Sequence, residues 1–246
     1  MPMPATLERA LQERRALKVI SGLMNFDAEK VAKVVRAAEL GGATFVDIAC
    51  DPALVRLAKN LIDLPVCVSS VDPYAFVDAV EAGADLVEIG NYDAFYTEGR
   101  IFSAEEVLEL TRETRRLLPD VTLSVTVPHT LSLDAQAELA EALEAAGADL
   151  IQTEGGTSSS PEHAGVLGLI EKAAPTLAAA ATIAKVVNIP VLCASGLSDV
   201  TAPMAIAAGA QGVGVGSAVN RLNDDLAMVA AVKRLSESLE RSAARV

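Results

Sequence analysis

Four segments of this chain align with one another: "GGATFVDIA" (41–49), "AGADLVEIG" (82–90), "AGADLIQTE" (146–154) and "AGAQGVGVG" (208–216). Each begins where a helix would end, with Gly suited to the left-handed cap, and runs into a strand. A second series alternates with the first: "LPVCVSS" (64–70), "LPDVTLSVTVP" (118–128) and "IPVLCAS" (189–195). In these, Pro ends a helical stretch before a β-rich run. "ALKVISG" (16–22) supplies the first strand and lacks the proline. Helical patterns fill the gaps over 27–40, 52–62, 73–82, 103–117, 132–145, 174–187, 199–208 and 224–240.

Eight strands alternating with eight helices imply a parallel sheet in an α/β fold. At 246 residues the economical closure is a single (β/α)8 TIM barrel spanning 1–246 as one domain. A doubly wound open sheet has the same alternation, but no dinucleotide G-x-G-x-x-G follows the first strand. Residues 1–15 read as a short amphipathic N-terminal helix, and 224–240 as the final helix.

With no Trp and only 3% aromatic residues, aliphatic side chains must build the core. A net charge of −13 repels nucleic acid and anionic membranes, so neither is expected as a partner. A local anion site stays open, because backbone N–H groups need no net positive charge. Cys50, Cys67 and Cys193 are odd in number, far apart and set in apolar runs. That pattern predicts reduced, buried thiols in a cytoplasmic compartment, without disulfides or a zinc site. No uninterrupted apolar stretch reaches about 18 residues, so no transmembrane helix is expected. The N-terminus lacks the apolar region of a signal peptide, and its mixed charge suits a transit peptide poorly.

Strand side chains alternate in direction. One face of the four aligned strands carries Val46 and Ile48, Val87 and Ile89, Ile151 and Thr153, and Val213 and Val215. This β-branched face should meet the helices. The other carries Phe45, Asp47 and Ala49; Leu86, Glu88 and Gly90; Leu150, Gln152 and Glu154; and Gly212, Gly214 and Gly216. It should point into the barrel, where Val, Ile and Leu are the usual filling. The same alternation places Lys18, Ser124 and Thr126 inside. A buried ammonium must be paired or lose its proton, and Asp47 and Glu88 are the natural partners. Two readings stand: an ion network that fills the barrel, or a lysine of depressed pKa suited to Schiff-base or proton-transfer chemistry. A divalent cation on these carboxylates is disfavoured because Lys18 competes for the same oxygens, and no metal ligands are assigned.

Active sites of such barrels lie at the C-terminal ends of the strands, with phosphate often bound after strands seven and eight. Here those ends read "CASGLSD" and "GVGVGSAVN". Ser195, Gly196, Gly214, Gly216 and Ser217 are the candidate phosphate contacts, with short helices expected to start at Asp199 and Ser217. His129 follows strand five and can exchange protons near neutral pH. His163 is expected to be exposed. Asn91, Tyr92 and Arg100, in "GNYDAFYTEGR", are candidates to close over a ligand. The stretch "QTEGGTSSS" (152–160) forms one wall, with Gln152 and Glu154 for chemistry, Gly155 and Gly156 for close backbone approach, and Ser158–Ser160 as its outer edge. Together Lys18, Asp47, Glu88, His129 and Glu154 are the candidate catalytic groups. Asn91, Arg100, Thr126, Gln152, Gly155 and Gly156 are the candidate substrate-lining residues.

The segments "LKVISGLMNFD", "GGATFVDIACDP", "VEIGNYDAFYTEGR", "LSVTVPHTLSLD", "IQTEGGTSSSP", "VLCASGLS" and "GVGVGSAVNRLND" resemble the hypothetical chloroplast reading frame twenty-three family of cyanobacteria and algal plastids. The resemblance runs from about residue 16 to 230. It implies a (β/α)8 barrel related to ribulose-phosphate-binding barrels, placed in a cyanobacterial cytosol or plastid stroma, and carries over no catalytic residues. The last 100 residues or so are also similar to nitronate monooxygenase-type flavin barrels, which place Gln-Gly-x-Glu-Ala-Gly-Gly-His after strand six. Gln152 and Glu154–Gly156 match in part. Thr157 replaces the histidine and His163 is displaced.

The leading expectation is an enzyme acting on a small phosphorylated metabolite by lysine/carboxylate isomerase, lyase or condensation chemistry. The alternatives are an FMN-dependent oxidoreductase and a non-catalytic metabolite-binding or assembly protein. A homo-oligomer is compatible with all three.

Overall fold

The structure is a computed structural model and describes residues 2–156, 159–222 and 224–243. Helix α1 (Ala5–Gln12) leads into β1 (Ala16–Ile20), α2 (Ala28–Leu40), β2 (Phe45–Ala49), α3 (Pro52–Leu61), β3 (Val66–Ser70), α4 (Ala75–Glu81) and β4 (Leu86–Ile89). A one-turn helix α5 (Asp93–Tyr96) precedes α6 (Ala104–Leu117), β5 (Thr122–Thr126), α7 (Leu133–Ala145), β6 (Leu150–Gln152) and α8 (Gly165–Ile183). The chain closes with β7 (Val191–Ala194), α9 (Ala202–Ala207), β8 (Gly212–Val215), α10 (Ser217–Asn220) and α11 (Asp225–Ala243). Each strand pairs in parallel with its successor, and β8 returns to β1 to close the barrel.

Helix starts follow their capping residues. Asp27, Asp51, Ser103 and Ser132 each accept backbone N–H bonds from the first turns of α2, α3, α6 and α7, satisfying donors that have no partner within the helix. Three helices depart from their sequence patterns. α1 is shorter than 1–15, because Arg14 turns left-handed at φ 53° and stops it. α9 starts at Ala202, not at Asp199. α8 covers 165–183 where 174–187 was expected, with Pro175 inside it. Gly165, Gly168 and Pro175 are helix breakers by propensity. Burial of Ala173, Thr176, Ala179, Ala180 and Ile183 along one face overrides them. By length and composition α8 is apolar enough to cross a membrane, but here it is a barrel helix packed against α7 and β7.

The apolar residues divide into two layers. Val46, Ile48, Val87, Ile89, Ile151, Val213 and Val215 pack outward with the helices in one continuous cluster, as the alternation implies. A smaller cluster fills the N-terminal half of the barrel: Phe45, Cys67, Leu86, Leu150 and Leu192 meet Leu7, Ala10 and Leu11 of α1. The i, i+3, i+4 spacing of those three presents one apolar face. α1 is thus a plug, and each buried leucine contributes about 1.5–3 kcal/mol. Cys67 and Cys193 are buried as expected, whereas Cys50 is half-buried; all three thiols are free.

Candidate active site

Above the apolar plug the barrel interior turns polar. The Lys18 ammonium lies 2.7 Å from Glu88 Oε2 and 3.0 Å from Asp47 Oδ2, and donates to Gln152 Oε1 at 3.0 Å. These three acceptors match the three protons of the ammonium. Lys18 is 0% exposed. Burial pushes its pKa down, but the charges of Asp47 and Glu88 outweigh burial and hold it above the ordinary lysine value. Of the two readings of Lys18, this is the geometry of the ion network and not of a lysine with a depressed pKa. Two carboxylates face one ammonium, so the proton stays on the nitrogen. Glu88 is held above the usual carboxylate value by burial, against the opposing pull of Lys18.

The remaining lone pairs are also used. Ser69 Oγ donates to Asp47 Oδ1 at 2.6 Å, and Ser124 Oγ to Glu88 Oε2 at 2.6 Å. Gln152 Nε2 donates to Glu88 Oε1 at 2.8 Å and to Thr126 Oγ1 at 3.1 Å. Asn91 Nδ2 reaches Asp47 Oδ2 at 3.0 Å and Ser69 Oγ at 2.8 Å. Gly214 makes room for this layer, since a Cβ there would stand 2.9 Å from Ala194 Cβ and 3.3 Å from Gln152 Oε1. It is a packing glycine of the barrel wall and does not line the cavity described next.

That cavity, of about 370 Å³, opens at the C-terminal end of the strands. Its floor is Asn91, Thr126 and Gln152, and Ser195, Gly196, Gly216 and Ser217 form the side expected to hold phosphate. Glu154 and Asp93 stand on the lining as well. Glu154 is 4% exposed. Its Oε1 accepts from the backbone N–H of His129 at 3.0 Å and from the Tyr96 hydroxyl, and lies 3.0 Å from His129 Nδ1. Its hydrogen bond with Glu154 raises the His129 pKa. Burial raises that of Glu154, against the hydrogen bonds of His129 and Tyr96.

Buried polar atoms normally have partners. Among the described residues five side-chain atoms have none, Tyr92 Oη, Thr114 Oγ1, Glu154 Oε2, Ser195 Oγ and Asn220 Oδ1, and the last three belong to residues that line this cavity. The orientation of Asn220 is fixed because its Nδ2 donates to the carbonyls of Ile20 at 2.7 Å and Ser21 at 3.2 Å. That leaves its amide oxygen without a protein partner among the described residues.

Lys18, Asp47 and Glu88 lie beneath the floor and do not themselves line the cavity. Arg100 is not brought to the site. Its guanidinium, on a side chain 50% exposed, bonds Glu106 at 2.7 Å and lies 4.4 Å from the centre of the Phe102 ring. Tyr92 is buried and stacks on Phe102 with ring centres 4.5 Å apart, not over a ligand. Gly155 and Gly156 serve loop packing instead of ligand approach. A Cβ on Gly156 would fall 2.4 Å from Gly196 Cα, and one on Gly155 would fall 3.0 Å from Pro175 Cβ. His163 is exposed and pairs with Glu171. Ser159 binds the carbonyls of Gly156 and Lys172, while Thr157 and Ser158 lie outside the described residues. Asp93, Tyr96 and Asn220 belong to the site without having been singled out in the sequence. Asp93 and Tyr96 bound a one-turn helix, and Asn220 ends another, too short to show periodicity.

The family described as "Protein of unknown function (DUF561)" matches residues 3–245. The chain belongs to this family. Its relatives include the "Uncharacterized protein ycf23" of Cyanophora paradoxa, 42% identical over 96% of this chain and 97% of the relative. That of Pyropia yezoensis is 36% identical over 98% and 88%. The plastid resemblance carried by the sequence motifs is thus the family relationship. Among solved structures, thiamine phosphate pyrophosphorylase from Pyrococcus furiosus superposes with a TM-score of 0.63 at 20% identity, covering 94% of this chain and 98% of that one. (S)-3-O-geranylgeranylglyceryl phosphate synthase from Thermoplasma acidophilum, in complex with sn-glycerol-1-phosphate, gives 0.63 at 16%, covering 97% and 100%. At these identities the neighbours show the barrel fold of the DUF561 chain.

Proposed function

We propose that this protein is an enzyme of the isomerase, lyase or condensation class acting on a small phosphorylated metabolite at the barrel mouth. The observation that carries the reading is the cavity whose lining holds three buried polar atoms without partners, Glu154 Oε2, Ser195 Oγ and Asn220 Oδ1. Leaving such groups unmet costs about 1–3 kcal/mol each, which a polar ligand offsets. The phosphate belongs against Ser195, Gly196, Gly216 and Ser217, and the reacting end against Glu154 and Gln152. A phosphorylated substrate is also in keeping with the structural neighbours, which include a thiamine phosphate pyrophosphorylase, a synthase holding sn-glycerol-1-phosphate and a 3-hexulose-6-phosphate synthase. Lys18 supports the floor in this scheme and does not attack the substrate.

The test is calorimetric titration with inorganic phosphate and with sn-glycerol-1-phosphate. The space beside Gly216 is open, with no atom closer than 3.5 Å to an added Cβ. Gly216→Asp therefore places a negative charge there without an overlap. Wild type should bind both anions, and the variant should bind about tenfold more weakly or worse, at unchanged thermal midpoint. Failure of wild type to bind either anion, or indifference to Gly216→Asp, refutes the proposal.

A further inference from the structure

The residues lining the cavity include two carboxylates, Asp93 and Glu154, but no lysine or arginine. The nearby ammonium of Lys18 is matched by Asp47 and Glu88 below the floor. A bound cation would add positive charge on that lining for an anionic ligand to meet, because an ion is the largest local charge in such a site.

One cluster is built to hold it. Donor atoms of Asp93, His129 and Glu154 lie within 4.8 Å of one another, a spread that bonds of about 2.1 Å close with a small side-chain movement. The three residues come from separate parts of the barrel mouth: the start of α5, the loop after β5 and the loop after β6. An independent observation marks the spot. Glu154 is 96% buried by the complement of its 4% exposure, and its Oε2 has no partner among the described residues. Meanwhile its Oε1 is fixed by the His129 backbone N–H and the Tyr96 hydroxyl and lies 3.0 Å from His129 Nδ1, so the imidazole would bind an ion through Nε2 or exchange this contact for it. Outer hydrogen bonds that orient a carboxylate in this way accompany metal ligands. One imidazole nitrogen with two carboxylates suits zinc, manganese or cobalt, whereas calcium prefers oxygen alone.

We infer that Asp93, His129 and Glu154 bind one divalent first-row transition-metal ion at the mouth of the barrel. The ion site rests on the three side chains themselves. Its role as counter-charge to a phosphorylated ligand, and as the electrophile that Lys18 does not supply, rests on the proposed function.

The experiment uses the full-length, tag-free protein stripped with chelator and titrated with Co²⁺ in phosphate-free buffer. One equivalent should bind and develop a visible ligand-field band. Glu154→Gln and Asp93→Asn, each of nearly unchanged shape, should weaken binding by about tenfold to a hundredfold or more, given that even outer partners of metal ligands are worth that much. Glu171→Gln, which alters the exposed His163 pair, should leave binding unchanged. No Co²⁺ binding by wild type, or binding insensitive to both variants, overturns the inference, and so does a site lost in Glu171→Gln. Inorganic phosphate titrated with and without Co²⁺ separates the two readings. Tighter phosphate binding with the ion supports the counter-charge role, and equal binding overturns that role while leaving the phosphate site standing.

Discussion

Replacing Lys18 with methionine asks whether the polar interior is held together by that one ammonium. The change leaves Asp47 and Glu88, 1% and 0% exposed, sharing the space that it filled. With the ammonium 3.0 Å from one carboxylate and 2.7 Å from the other, and an effective dielectric of about 20, each attraction is worth about 5–6 kcal/mol. Desolvation of the ions opposes this, so the net loss on breaking the arrangement is about 3–5 kcal/mol. That is a large share of the roughly 5–15 kcal/mol by which proteins are stable. The sign of the pH dependence follows from Glu88. Burial raises its pKa even beside Lys18, and without the ammonium it rises further. A carboxyl with a raised folded pKa contributes its full stability below the unfolded value of about 4.3 and loses it as pH rises through the folded value. Urea unfolding should therefore show a deficit for Lys18→Met that is small near about pH 5 and grows toward about pH 8. Adding Asp47→Asn and Glu88→Gln to the same variant removes every charge and should recover part of the loss. A Lys18→Met protein within about 1 kcal/mol of wild type at neutral pH, or a deficit independent of pH, would refute the reasoning.

Two further outcomes follow from the same geometry. Borohydride reduction in the presence of a metabolite extract should leave Lys18 unlabelled by mass spectrometry, because its three protons are engaged and it lies below the cavity floor; a Lys18 adduct would return it to the reacting groups. Gly156→Ala should lower stability by about 1–3 kcal/mol in a thermal melt, the usual penalty of overpacking, since its Cβ would meet Gly196 Cα at 2.4 Å. A neutral result would mean that the loops after β6 and β7 separate easily.

The barrel was legible because it is written in short-range patterns. Strand alternation alone separates Val46 and Ile48 from Phe45 and Asp47, and closure then brings the inward set together. Lys18 and its partners could be paired on that basis, whereas residues 1–15 read only as an amphipathic helix, and the helix's role as a plug appears in the packing of Leu7, Ala10 and Leu11. What alternation cannot yield is a balance of opposing energies. The proton on Lys18 depends on two carboxylates standing within 3.0 Å, and the sequence names Asp47 and Glu88 as partners without showing whether their charges outweigh burial. Loops hid the rest. Arg100 was a candidate to close over a ligand until Phe102 and Glu106 are seen to hold it. Gly155 and Gly156 follow Glu154 in sequence, yet their missing side chains make room for Pro175 and Gly196, which are distant in the chain. Asp93 and Asn220 lie in one-turn helices that leave no periodic trace.

A barrel interior can be filled with aliphatic side chains at less risk than with a network in which every partner must be met. Here the network has a consequence at the surface it supports. Gln152 accepts from Lys18 and donates to Glu88, so its amide has one orientation. Asn91, left-handed at φ 61°, is pinned through Nδ2 by Asp47 and Ser69. Both residues form the floor of the cavity. The charges beneath therefore set which way two amides face before any ligand arrives, and preorganised dipoles of this kind require no reordering when one does. Under the proposed function, Lys18 thus has a role without reacting: it holds the floor polar and oriented beneath the groups proposed to meet the ligand.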